Sequence, residues 1–259
     1  MIPSELNFIS IVGSRHPTPY GIKAAHEISE GLARRGLGVV SGMAIGIDTA
    51  AHWGCISGGG FTIAVLGTGI DMIYPKSNEK LFKKIIEAGA VITEFPPNTI
   101  PEGKNFPIRN RIISGISRGV VVVEATRKSG SLITASLALE QGREIFAVPG
   151  SINSFKSTGC HFLIKQGARL VENAEDITNE LGVEFHPSSN QPDRDLVSSV
   201  LSNMDEIERK IYKLIGDYPI HIDDISRQCM IQPSEAYYIL MKMELKGLIK
   251  QLPGKLFAR

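Results

Sequence analysis

Short apolar runs rich in valine and isoleucine recur through the first two thirds of the chain. FISIV (8–12), GVV (38–40), FTIAVL (61–66), AVIT (90–93), GVVVVEA (119–125), EIFAV (144–148) and ARLV (168–171) predict strands. Several are apolar at every position instead of alternating, as strands covered on both faces should be. Between them lie GIKAAHEISEGLARRG, DTAAHWGCISGG, NEKLFKKIIEAG and SLITASLALEQG, each with helical spacing and a closing glycine suited to a C-terminal cap. This alternation predicts an α/β fold, a doubly wound and mostly parallel sheet, over residues 1–180.

After Asp176 the pattern stops. HPSSNQPDRD (186–195) is polar, holds two prolines and has no period, so residues 181–203 are expected to form a flexible linker. Residues 204–259 break into three helical stretches and a hairpin. MDEIERKIYKLIG has apolar residues at 204, 207, 211, 214 and 215, and HIDDISRQC is a short second helix. PSEAYYILMKMELKG starts near Pro233 and gathers Ala236, Ile239, Leu240, Met243 and Leu245 on one face. LIKQLPGKLFA places a Pro-Gly turn between two short strands, which completes a small winged-helix pattern.

Charge sharpens this division. The formal net charge of +1 argues neither for nor against a nucleic-acid partner. Residues 1–175 carry 18 Lys/Arg against 14 Asp/Glu, residues 176–205 one against six, and residues 206–259 nine against seven. Two mildly basic modules flank an acidic connector. Cys55, Cys160 and Cys229 lie far apart with no metal-binding spacing, which fits reduced, packed thiols. No run approaches the ~18 apolar residues of a membrane span, and MIPSELNFIS has no secretory pattern. A cytoplasmic protein without membrane contact is expected.

In open α/β sheets ligands bind beyond the carboxyl ends of the strands. GSRHPTPYG after the first strand lacks the GxGxxG fingerprint, and no acid follows the second strand to hold a ribose, so no dinucleotide cofactor is expected. The open backbone at Gly13-Ser14 beside Arg15 suits phosphate, although Arg15 pairing with a surface acid is the plainer role. In SGMAIGID, Gly42 and Gly46 let the chain pass close to a ligand or neighbouring turn, and Asp48 is placed to cap the next helix. Asp48 and His52 stand one turn apart, but without a third ligand they fit a cap and a packed histidine better than a metal site. Ser129, Gly130 and Ser131 open a helix whose amides suit an anion, or serve only as its cap, with Arg127 and Lys128 beside them. Lys156 stands in another Gly/Ser-rich turn. The proline-rich loop TEFPPNTIPEGKNFPIRNRIISG holds Phe106, Arg109 and Arg111. If its helix begins near Ile108, the two arginines point apart, one toward a ligand and one as a brace, while Phe106 is free to stack a base. Glu94 and Glu124 end strands and are expected to be held by loop arginines. The loops offer phosphate ligands but no Ser/His/Asp set, cysteine nucleophile or metal cluster.

IVGSRHPTPYG, VVSGMAIGIDTAAH, TIAVLGTGIDMIYP, FPIRNRIISGIS, VVVEATRKSGSLITASLALEQGREIFAVPG and LIKQGARLV together resemble the DNA-processing protein A family, DprA or Smf, across about residues 8–172. The C-terminal winged-helix pattern fits a domain that many members carry. Members often have a small helical domain ahead of the Rossmann-like fold, and none is expected within these residues. The resemblance implies single-stranded DNA binding, protection of incoming DNA, loading of the recombinase RecA in natural transformation, a homodimer through the Rossmann-like domain, and no catalysis. By motif it implies DNA contacts from Ser14, Arg15, Gly42, Phe106, Arg109, Arg111, Ser129, Gly130, Ser131 and Lys156. The winged helix is left to duplex DNA or to a protein partner. The competing function is a phosphoribohydrolase-like nucleotide hydrolase, which needs a glutamate where SGSLITASLALE has Leu137.

Overall fold

A computed structural model describes residues 3, 5–183, 205–215, 220–245, 248–252 and 254–258. The chain divides into two compact units, Met1–Ser188 and Ser189–Arg259. The acidic connector expected at 181–203 lies almost wholly outside the described residues.

The first unit is built on a seven-stranded sheet: β1 (Phe8–Gly13), β2 (Gly38–Ser41), β3 (Thr62–Val65), β4 (Gly89–Ile92), β5 (Gly119–Val123), β6 (Glu144–Ala147) and β7 (Arg169–Leu170). Their spatial order is β4-β3-β2-β1-β5-β6-β7, and every pair is parallel. The chain therefore winds outward from β1 to β4, then returns to β5 and winds the other way. That reversal opens a crevice between the loops that leave β1 and β5.

Period-two burial explains why helices cover both faces. Ile9 and Ile11 of β1 and Val121 and Val123 of β5 pack with α1 (Pro19–Arg34), α2 (Ile47–Ser57) and α7 (Ala174–Glu180). Phe8 and Val12, with Val120 and Val122, pack with α4 (Asn105–Gly115), α5 (Gly130–Glu140) and α6 (Thr158–Lys165). Leu81 and Ile85 of α3 (Glu79–Ala88) close a smaller cluster over Ala64, Leu66 and Met43.

Four expectations change here. Helix α4 starts at Asn105, not near Ile108, because Pro107 is tolerated in a first turn where its missing amide has no partner to lose. Gly89 is extended, with φ of −173°, and begins β4 instead of capping α3. The winding continues past Asp176 through α7, whose capping box joins Asn173 and Asp176. Asp48 is not the cap of α2: Gly46 holds that place, and the Asp48 carboxylate accepts from the Ala44 amide at 3.2 Å.

The second unit has α8 (Glu206–Leu214), α9 (Ile222–Cys229) and α10 (Pro233–Leu245) over an antiparallel sheet of order β8-β10-β9. Its strands are β8 (Ile220–His221), β9 (Lys250–Leu252) and β10 (Leu256–Ala258). Ile211, Ile215, Ile225, Ala236, Ile239, Leu240, Met243 and Phe257 form its core. The two-residue β8 was too short for its pattern to register in the sequence. Ile207, expected inside, is exposed, and the side chain of Leu245 lies outside the described residues.

Candidate nucleic-acid interface

The crevice between β1 and β5 is a cleft of about 660 Å³. Ser14, Arg15, Phe106, Arg109, Ser129, Gly130 and Ser131 all line it. Residues from three separate loops thus meet at the point where the winding reverses.

On the β1 side, Gly13 lies hard against β5, since a Cβ there would stand 1.9 Å from the Val123 carbonyl oxygen. The next residues are anchored at both ends. The Ser14 carbonyl accepts from the Ile47 amide at 3.1 Å. Thr18, the N-cap of α1, gives its amide proton to Glu124 at 2.7 Å and its hydroxyl proton to the same carboxylate. Glu124 is therefore held by the first turn of α1, not by a loop arginine as expected. Between the anchors, the Arg15 guanidinium lies over the Phe106 ring, 5.3 Å from its centroid. The Lys156 ammonium donates to the His16 carbonyl, which joins the β6–α6 turn to this loop.

On the α4 side, the two arginines separate as expected, and their roles become concrete. Arg109 is only 4% exposed. Its Nη1 donates to the carbonyls of Gly42, at 2.8 Å, and Val65, and its Nε to Asn110 Oδ1 at 3.2 Å. It ties together the ends of β2 and β3 beneath the cleft. Gly42 is required for this: a Cβ there would lie 2.5 Å from Arg109 Nη2. Burial pushes the Arg109 guanidinium down to about 10 and the Asp48 carboxyl up, while their mutual attraction opposes both shifts. Arg111 lies on the half-exposed side of α4 and pairs with Glu94, as expected of that acid.

On the α5 side, Ser129 occupies the N-cap but makes no capping bond; its Oγ accepts from the Thr126 amide at 2.9 Å. The Leu132 amide donates to the Ser129 carbonyl at 3.0 Å, while Gly130 and Ser131, at the first two positions of the helix, line the cleft. The space beside Gly130 is empty to 4 Å, and the buried Ser131 Oγ has no partner among the described residues. A helix N-terminus, an unpartnered hydroxyl and a guanidinium lining the same cleft are chemically suited to an anion. Arg127, expected to add charge at this turn, lies over the Phe162 ring at 4.9 Å.

Tyr74 joins the site without a motif in the sequence to mark it. It lines the cleft, is 45% exposed, and its ring lies 5.9 Å from that of Phe106. An aromatic before a proline after the third strand was the available signal, in TGIDMIYP. His52 is a packed histidine, fully buried on α2 with Nδ1 2.7 Å from Thr62 Oγ1. No cluster of three metal-ligating side chains occurs among the described residues.

The profile described as DNA recombination-mediator protein A matches residues 2–182. The chain belongs to the DprA/Smf family. A second profile, the DprA winged helix domain, matches residues 187–255. Protein Smf of Escherichia coli is 40% identical over 247 residues, covering 95% of this chain and 66% of that protein. The X-ray structure of DprA from Streptococcus pneumoniae superposes with a TM-score of 0.65 at 46% identity, covering 70% of this chain and 63% of that one. DprA from Helicobacter pylori, a structure described for its single-stranded DNA binding mode, gives 0.64 at 30% identity and covers 70% and 82%. The chain spans about two thirds of the E. coli relative's length. No helix among the described residues is long and apolar enough to cross a membrane.

Proposed function

We propose that this DprA-family chain binds single-stranded DNA across the β1–β5 cleft and, as a homodimer through the Rossmann-like unit, protects it and passes it to the recombinase RecA. One observation carries the binding step. The stacked pair Arg15–Phe106 faces an open helix N-terminus with the unpartnered Ser131 hydroxyl, all in one cleft. A phosphate meets the amides of Gly130 and Ser131 and the Arg15 guanidinium, and a base stacks on the exposed Tyr74 ring beside Phe106. Ser14 lines the same wall, Lys156 adds positive charge beside the Arg15 loop, and Arg111 would reach the strand outside the cleft only by giving up Glu94. Arg109 and Gly42 act from beneath, setting the floor instead of touching the strand.

Such contacts read no base edges, so affinity should vary little with sequence and fall steeply with salt. The single-stranded DNA described for the H. pylori relative supports the substrate class. The family resemblance supports the dimer and the RecA step. Fluorescence anisotropy with a labelled oligothymidine, competed by duplex of equal length, tests the substrate. Equal competition by duplex would sink it. RecA filament growth on single strands with and without the protein tests the hand-over, and an unchanged lag would rule it out.

A further inference from the structure

We infer that Glu124 is a positioning residue for DNA binding: as a carboxylate of the chain itself seated at the N-terminus of α1, it fixes the loop that presents Arg15. The inference rests on the proposed binding of single-stranded DNA at the β1–β5 cleft.

Three observations carry it. First, Glu124 is buried, 5% exposed, at the end of β5, so its position is set by the centre of the sheet. Second, its carboxylate takes both the amide and the hydroxyl protons of Thr18, and Thr18 Oγ1 in turn accepts from the Gly21 amide at 3.2 Å. In doubly wound folds a ligand phosphate commonly occupies the N-terminus of the helix after the first strand. Here the chain's own acid fills that place, leaving the α5 N-terminus as the open anion site. A Cβ on Gly21 would stand 2.5 Å from Glu124 Oε2, so the first turn of α1 is fitted closely around this acid. Third, Glu124 has a φ of +49°, a conformation that costs a non-glycine residue energy. Strain of that kind persists where the surroundings hold the residue for another purpose.

The mechanical consequence follows from the anchors. Arg15, His16 and Pro17 bridge the span between Ser14, fixed to Ile47, and Thr18, fixed to Glu124, and the His16 carbonyl is also held by Lys156. Releasing Thr18 frees one end of a short span, leaves Ser14 and the Lys156–His16 bond to hold it, and loosens Arg15 on the Phe106 ring. Electrostatics alone points the other way. A carboxylate beside a phosphate site repels DNA, so removing its charge should tighten binding unless the carboxylate also holds the loop.

The test compares Glu124→Ala, Glu124→Gly and Glu124→Gln in the full chain, with a labelled oligothymidine as the probe. Glycine relieves the positive φ, which separates folding from positioning; glutamine keeps an acceptor for the Thr18 amide and removes the charge. Alanine and glycine are expected to weaken binding roughly five- to tenfold and to lower the salt slope by about one phosphate contact. Glutamine should bind as tightly as the wild type or tighter. Glu124→Ala should add nothing on top of Arg15→Ala. Hydrogen exchange over residues 14–22 should quicken in the alanine and glycine variants. Binding at wild-type strength in those variants, losses that add to that of Arg15→Ala, or unchanged exchange over 14–22 would each overturn the inference. Failure of the wild type to bind, or indifference to Arg15→Ala, would instead bring down the reading of the cleft, and the inference with it.

Discussion

The guanidinium of Arg15 rests on one face of Phe106, 5.3 Å from the ring centroid, while the Tyr74 ring lies 5.9 Å from the same side chain. A planar cation on an aromatic face keeps its N–H edges free for an anion. Phe106 thus links the phosphate-binding and base-stacking parts of the cleft. Arg15→Ala should weaken single-strand binding and lower the salt slope by about 0.7, the value of one single-strand phosphate contact. A titration of affinity against salt measures both, and an unchanged slope would remove Arg15 from the interface.

Arg109 should behave differently from Arg15. Its guanidinium is buried against the Gly42 and Val65 carbonyls with Asp48 nearby, so Arg109→Ala leaves buried acceptors and an acid unpaired. The expected cost is about 3–5 kcal/mol of stability. Lysine cannot restore the fork of donors. Gly42→Ala pushes a methyl into the same guanidinium and should cost about 1–3 kcal/mol. Because both changes strike one contact, the double variant should lose less than the sum of the singles in urea denaturation.

His52 predicts an acid-sensitive fold. Burial, with a smaller contribution from the Arg109 charge, lowers it to about 3. The native state therefore keeps it neutral while the unfolded chain protonates it near its ordinary value of 6.5. Its stabilising contribution is complete above about 6.5 and is lost as pH falls toward about 3, at about 1.4 kcal/mol per unit. Asp48, raised by burial, binds its proton more tightly when folded and offsets part of that loss at the acid end. Denaturation midpoints measured from pH 7 to pH 4 should fall, and His52→Leu should flatten the fall.

The outward face of α10 shows Tyr237, Tyr238 and Met241, while Lys242 is held by the buried Glu208 of α8. Arginine and asparagine, the usual readers of base edges, are missing from that face. Lys242→Ala should leave the affinity for duplex DNA unchanged in a gel shift. A marked loss would make α10 a duplex-binding helix.

The sheet was legible because strands covered on both faces carry uninterrupted valine and isoleucine, as GVVVV does in β5. The loop residues were legible as chemistry, since glycine, serine and arginine after strands one and five suit phosphate. Their division of labour was not. Arg109 and Arg111 look alike in FPIRNR, yet one is buried under the floor and the other pairs with Glu94 near the surface. That outcome depends on where α4 starts and on which carbonyls β2 and β3 bring to meet it. Glu124 reads in the sequence as the acid after a strand, and its partner Thr18 lies 106 positions away. Local pattern is set by burial and backbone geometry within a few residues, so the sequence alone determined most of the elements, their order and the chemical character of the loops, but not the two-residue β8 or the run of α7 past Asp176. Only the tertiary structure decided which charges are buried, paired or left facing the cleft, because desolvation and pairing are settled by neighbours distant in the chain.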